Sequence, residues 1–549
     1  MIIRKKLPRA KGLHEPLLHP DHPKPVTRRQ LLAAGLIGSQ AYVMVPAVVA
    51  SLLGKPRTAR AQLAGDIQGL VNGCGISTSG ANKIPFICFD LAGGANLNGS
   101  EALIGQAGGQ TNFLSTAGYA KLGLPGNMLP GSANPAGGTF TSTALGLAWH
   151  SDGGILRGIQ SKAAAATQAN VNGAAIAAVS QTDTQTNPHN PMYGIWMAGA
   201  NGALLTLIGT EATTSGGNSM APAALINLSE IPSVIRQSSD CTGLVNTGAL
   251  GTMFSGPGGA AETVAVLEST ARLTGGTNLS SFAGKLGAVS ALPSSPATDS
   301  QLKTAMLCDY AKTTALVNTF GNPAALNPDL DPDIVATAPG GGANSIFTAM
   351  DYQDSNIRAT AAVMKMVISG FAGAGTVTLG GYDYHDGTRA TGETKNFNAG
   401  VCIGACLEYA KRMGKPLMVY VFSDGSLVST GMADTSMAGR DKYGWQGDSS
   451  TTASTFFLVY NPAGRATLMS GGSGNQIGYF NADGSVNTSS SPAANAVNLL
   501  VNTVCLNYMA LHGEAGNFAS VFGNSNGIGS TASQLDPLIA FNPIVNSVI

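Results

Sequence analysis

Thr376-Val377-Thr378-Leu379, a polar loop, apolar residues at helical spacing from about Phe397 to Met413, and then Leu417-Met418-Val419-Tyr420-Val421-Phe422 spell out a strand, a helix and a strand. Gly414 and Pro416 stop the helix. Upstream, Ile357 to Phe371 again has apolar residues at helical spacing, and Gly373 and Gly375 break it before the strand begins. Helices alternating with short apolar strands indicate βαβ units, and so an α/β fold with a mostly parallel sheet and helices on both faces.

Three earlier runs fit the same sheet. Ile84-Pro85-Phe86-Ile87-Cys88-Phe89-Asp90-Leu91 is almost continuously apolar and bounded by turn residues, as a strand buried on both faces is. Ala174 to Ser180 and Leu204 to Ile208 read likewise. The segments 210–300 and 425–490 are rich in Gly, Ser, Thr and Asn and read as long loop insertions. No repeat of fixed period is present. One large α/β domain over residues 62–549 is therefore expected.

Residues 1–61 read differently. Thr27-Arg28-Arg29-Gln30-Leu31-Leu32 is followed by an uncharged, mostly apolar run to Gly54 and then by Ala59-Arg60-Ala61. A basic start, an apolar stretch and a small-residue cleavage site make a secretory signal, and the Arg28–Arg29 pair marks the twin-arginine route. Cleavage after Ala61 is expected, which makes the twin-arginine translocation machinery a partner and the periplasm or exterior the destination. The rival reading keeps Leu31 to Gly54 as an anchor, since about 20 apolar residues span a bilayer.

Removing the leader changes the charge. Of 30 basic and 30 acidic residues it holds 11 and 2, which leaves 19 against 28, a net −9. An acidic chain without a basic cluster is poorly suited to nucleic acid or anionic lipid. No later segment is long and apolar enough to cross a membrane. Charged residues make up only 11% of the chain, yet 44% is hydrophobic, so the composition is that of a folded body rather than a disordered one. Seven cysteines are present, an odd number. Cys88 reads as a small buried hydrophobe, and Cys402 with Cys406 shares a helix face without a metal-knuckle spacing.

In open α/β sheets, sites gather beyond the carboxyl ends of the strands. Three strand ends carry polar clusters: Gly93-Gly94-Ala95-Asn96, Gly380-Gly381-Tyr382-Asp383-Tyr384-His385, and Ser423-Asp424-Gly425. A fourth lies downstream at Arg440-Asp441-Lys442-Tyr443-Gly444-Trp445. Asp383 and His385, two residues apart at a strand end, suit a divalent metal, and equally a hydrogen-bonded turn. Asp424 reads as a ligand or a turn cap. His189 sits in the turn-rich Asn187-Pro188-His189-Asn190-Pro191, and His150 reads as a helix-end histidine. No nucleophile elbow, phosphate loop or HExxH helix is present.

Taken in order, these clusters and the twin-arginine leader resemble the DUF1501 family, exported bacterial proteins similar to the alkaline phosphatase and sulfatase superfamily. The resemblance spans most of the chain after the leader in short matches, of which Gly380 to His385 is the most specific. It implies an alkaline-phosphatase-like fold and a metal-dependent hydrolase of phosphate or sulfate esters. Asp383, His385, Asp424, Asp441 and His189 would hold a divalent metal (zinc, calcium or magnesium), and Asn96 stands where the family has an acid. Lys442 stands where the family has a histidine, and a protonated lysine repels a cation. The alternative is a non-catalytic envelope or secreted protein that binds a partner on the same fold.

Overall fold

The computed structural model describes residues 64–73, 83–180, 187–244, 264–269, 271–272 and 323–547, with positions 307, 310, 311 and 314. Arg28, Arg29 and Ala61, and with them the export signal, lie outside the described residues, as do Cys74 and Cys308. The chain divides into two compact units, one of residues 1–70 and 246–315, the other of 71–245 and 316–549. In the first, Asp66 near the start of the helix Gly65–Gly73 pairs with Arg272 Nε and Nη2 at 2.6 and 3.0 Å. The strands belong to the second unit.

Its strands in chain order are β1 Phe86–Leu91, β2 Thr141–Leu145, β3 Leu147–His150, β4 Val171–Ala177, β5 Leu205–Gly209, β6 Ser233–Val234, β7 Ala372–Leu379, β8 Leu417–Ser423, β9 Leu427–Ala433, β10 Tyr443–Asp448, β11 Ser454–Tyr460 and β12 Gln476–Ile477. Eight form one sheet in the order β12-β4-β11-β8-β1-β7-β5-β6. β11 runs antiparallel to both neighbours and every other pair is parallel. The sheet is thus mixed and mostly parallel, the α/β class that the alternating pattern predicts.

The helices used below are α1 Gly154–Lys162, α2 Met192–Met197, α3 Ser355–Ile368, α4 Ala390–Arg412 and α5 Val497–Leu511. Side chains alternate across β1, and each half finds its own core. Ile87, Phe89 and Leu91 pack with α1, α3 and α4 residues such as Ile155, Val363 and Ile403. Phe86 and Cys88 pack with α2 and α5 residues such as Ile195 and Val504. Strands buried on both faces explain the unbroken apolar runs. Among the described residues, no helix is long and apolar enough to cross a membrane.

Three elements depart from the reading above for long-range reasons. β7 begins at Ala372, so Gly373 and Gly375 lie inside the strand. A Cβ on Gly373 would meet the Ala200 carbonyl oxygen at 2.4 Å, and one on Gly375 would meet Val363 Cγ1 at 2.5 Å. The glycines permit close packing there rather than breaking the strand. α4 starts at Ala390, ahead of the apolar pattern, because Asp434 from a distant loop accepts the Arg389 and Ala390 amides at 2.8 and 3.1 Å. β11, Ser-Thr-Phe-Phe-Leu-Val-Tyr, is a fully buried central strand within a segment whose composition reads as loop.

α1 and α4 touch backbone to backbone. A Cβ on Gly400 would lie 2.1 Å from the Ile155 carbonyl oxygen, and one on Gly158 would lie 2.1 Å from that of Phe397. Gly400→Ala is therefore expected to lose about 2 kcal/mol or more, since overpacking outweighs the helix-propensity gain of about 1 kcal/mol. Gly69→Ala, on an exposed helix position with nothing within 4 Å, is expected to be neutral or stabilising. Urea unfolding of both variants checks the contrast.

Candidate functional site

The loop after β1 lies between the ends of β7 and β8. Ala92 N donates to Leu379 O at 2.9 Å, Tyr382 N to Ala92 O at 3.0 Å, and Gly425 N to Gly93 O at 3.1 Å. Gly93 has φ +121°, and a Cβ there would strike Asp383 N at 2.4 Å. The glycine is needed for this approach of two loops, not for an anion. Ser423 completes the junction: its Oγ donates to Leu91 O or Gly93 O, at 2.8 and 2.7 Å, and accepts from Ala95 N at 2.8 Å.

Below this junction the polar groups are dry. Asp90, on β1, is fully buried and accepts from Ser219 N at 2.7 Å and Ser219 Oγ at 3.2 Å. Burial pushes its carboxyl up to about 7 against the Ser219 hydrogen bonds, and the Asp424 charge adds to the push. His189 is 2% exposed and stacks on Phe422 with centroids 6.0 Å apart. Neither ring nitrogen has a hydrogen-bond partner among the described residues, and burial drives the ring down to about 3, so it is neutral. Asp424 is fully buried, and its carbonyl oxygen accepts from Ser180 Oγ at 2.5 Å and Asn187 Nδ2 at 2.8 Å. Asn96 is buried; its backbone N–H donates to Tyr384 Oη at 3.0 Å and its side-chain Nδ2 to Leu427 O at 3.4 Å.

Above the junction the side chains reach water. His385 Nε2 lies 2.7 Å from Asp383 Oδ1 and 3.9 Å from Asp448 Oδ1, with side-chain exposures of 39, 51 and 52% for the three residues. One ligand atom from each falls within 4.8 Å of the others, and this is the one group of its kind among the described residues. Asp383 and His385 are thus brought together. Asp424, Asp441, His189 and Asn96 stand outside the group.

The third member, Asp448, is not among the residues expected from sequence. It closes β10, five residues after Tyr443, just past the fourth polar cluster. A carboxylate after Trp445-Gln446-Gly447 gives no local signal. His385 Nε2 and Asp383 Oδ1 contact each other directly; the three side chains could also hold a single divalent cation, with water for its further positions. An imidazole beside two carboxylates suits zinc better than calcium or magnesium, which favour all-oxygen shells.

Lys442 and Asp441 belong to a different structure. Lys442 is fully buried, with Nζ 2.7 Å from Glu393 Oε1, 2.7 Å from Asp152 O and 3.4 Å from Asp152 Oδ2. Glu393 also accepts from Arg389 Nε at 3.0 Å and Arg157 Nη2 at 2.7 Å. Burial pushes the Glu393 carboxyl up, but the Lys442 and Arg389 charges prevail and hold it well below the usual range. Asp441 is exposed at φ +58°, next to Arg440 at φ +57°, and Arg440 pairs with Asp152. The lysine therefore answers buried carboxylates rather than facing a metal.

His150 also departs from expectation. It lies in β3, stacks on Phe140 at 5.2 Å and bonds Met128 O at 2.9 Å, and burial drives it down to about 3. The five described cysteines, Cys88, Cys241, Cys402, Cys406 and Cys505, are all free and buried.

No protein-family model, curated protein or solved structure matches the chain.

Two predictions follow from the dry groups. The folded state holds the Asp90 proton more tightly than the unfolded chain does. Its stabilising contribution is whole below pH 3.8 and is lost as pH rises through about 7. Asp90→Asn cannot ionise. Its stability relative to wild type is expected to improve by up to about 4 kcal/mol between about pH 4 and about pH 8, read by urea unfolding across that range. Lys442→Met leaves Glu393 short of a buried partner and is expected to cost about 3–5 kcal/mol in the same assay.

Proposed function

We propose that this chain is an exported protein with an alkaline-phosphatase-like fold, and that it hydrolyses phosphate or sulfate esters with one divalent cation held by Asp383, His385 and Asp448. The observation that carries the reading is the convergence of these three donors at the water-exposed carboxyl ends of the sheet. A mixed sheet with a single reversed strand, layered with helices, agrees in outline with the fold that the resemblance implies.

A cation in that place supplies Lewis-acid polarisation of the ester oxygen. Asp383 and Asp448 would bring the negative charge that holds the ion, and His385 Nε2 would be the third protein ligand. The exposure of all three leaves room for a substrate at the surface. The twin-arginine motif at Arg28 and Arg29 supports export to the periplasm or beyond.

A second reading is a non-catalytic envelope protein that binds a partner. Lys442 favours it, because it is committed to Glu393 rather than to a metal centre.

Elemental mass spectrometry of protein purified without chelators separates the two. About one divalent ion per chain is expected. It should be lost in Asp383→Ala and in Asp448→Asn and retained in Asp441→Asn, with hydrolysis of a generic phosphate or sulfate ester following the metal. Metal-free wild-type protein sinks the hydrolase reading.

A further inference from the structure

We infer that Trp445 is the positioning residue of the Asp383–His385–Asp448 centre; the inference rests on reading that centre as a cation site. Two of the ligands lie on the loop after β7 and the third on β10. The centre is therefore only as well formed as the coupling between those two segments. β9 holds β10 on its other side, pairing Trp445 with Ser429 and Asp448 with Leu427 across two register shifts, and does not itself tie β10 to the loop after β7.

The coupling converges on Trp445 instead. Gly387 N donates to Trp445 O at 2.9 Å and Trp445 N donates to Thr388 O at 3.0 Å. These bonds tie β10 to the chain just after His385. The Tyr384 side chain, between the two exposed ligands, turns inward and is 2% exposed, with its ring 6.4 Å from that of Trp445. On the indole lies the Arg389 guanidinium, 4.4 Å from the ring centroid and itself held by Glu393. α4 accommodates both rings at Gly392, where a Cβ would meet Trp445 Nε1 and Tyr384 Cε2, each at 2.9 Å. Asp383 and His385 flank a buried tyrosine, and Asp448 follows a buried tryptophan by three residues. The packing of the two rings sets where Asp448 stands relative to Asp383 and His385. Residues that orient ligands in this way typically change metal affinity by about 10–100-fold when altered.

The test uses the full-length protein, zinc titration against a chromophoric chelator, and the visible spectrum of bound cobalt. Trp445→Leu is expected to bind zinc about tenfold or more weakly and to give the cobalt spectrum of Asp448→Asn. The double variant Trp445→Leu/Asp448→Asn is expected to bind no more weakly than Asp448→Asn alone, because both changes remove the same ligand. Trp445→Phe, which keeps a ring, is expected to fall between wild type and Trp445→Leu. A folded Trp445→Leu with wild-type affinity and spectrum overturns the inference, as does an additive double variant. If Trp445→Leu does not fold, an unchanged Trp445→Phe overturns it. Wild-type protein that binds no zinc and no cobalt overturns the cation reading itself, and with it the inference.

Discussion

Glu393 is the constraint from which much of this architecture follows. A carboxylate with 2% exposure in the first turns of α4 is tolerable only if it is matched by charge. Three cations from three places meet it: Lys442 at the end of the loop that connects β9 to β10, Arg389 one turn before it, and Arg157 on α1. Lys442 fixes the ribbon and Arg157 fixes α1 against α4, while Arg389 is α4's own N-cap residue. α1 is then close enough for the Gly158 and Gly400 contacts, and the ribbon is close enough for Asp434 to accept the first amides of α4. The same ribbon ends at Asp448.

The carboxyl edge of the sheet holds two environments a few residues apart. Asp90 and His189 sit beneath the loop junction, where burial favours the neutral form of both, raising the carboxyl to about 7 and lowering the imidazole to about 3. Asp383, His385 and Asp448 sit above it in water. The resemblance predicts one set of ligands drawn from both layers. The fold separates them, because Gly93 lets the β1 loop pass tightly against the backbone at Asp383 and close the junction.

The sheet was legible in the sequence because its strands are buried on both faces. β1, β7 and β8 announce themselves as apolar runs, and the helices between them by their spacing. Legibility failed where a long-range partner decides the outcome. Gly375 reads as a breaker until Val363 is seen against it, and α4 starts early only because Asp434 caps it from a separate segment. β11 was within reach, since Phe456 to Tyr460 is an apolar run, but the surrounding Gly and Ser masked it. For the site, Asp383 and His385 were visible as neighbours at a strand end. Asp448 reaches them only through the ribbon, and no local spacing encodes that. Lys442 looked like a lost ligand because its carboxylate partners lie some 50 and 290 positions away in the chain.

The free, buried thiols bear on how such a chain can reach its final form. Burial raises Cys88, Cys402 and Cys505 far from the thiolate range, and each lies inside a packed layer. Thiolates are the species that oxidants and disulfide exchange act on. Among the described residues, then, no covalent cross-link has to be installed after folding, and none is exposed to scrambling. For the five described cysteines the redox potential of the surroundings makes no difference: they pack the same way in a reducing compartment as in an oxidising one.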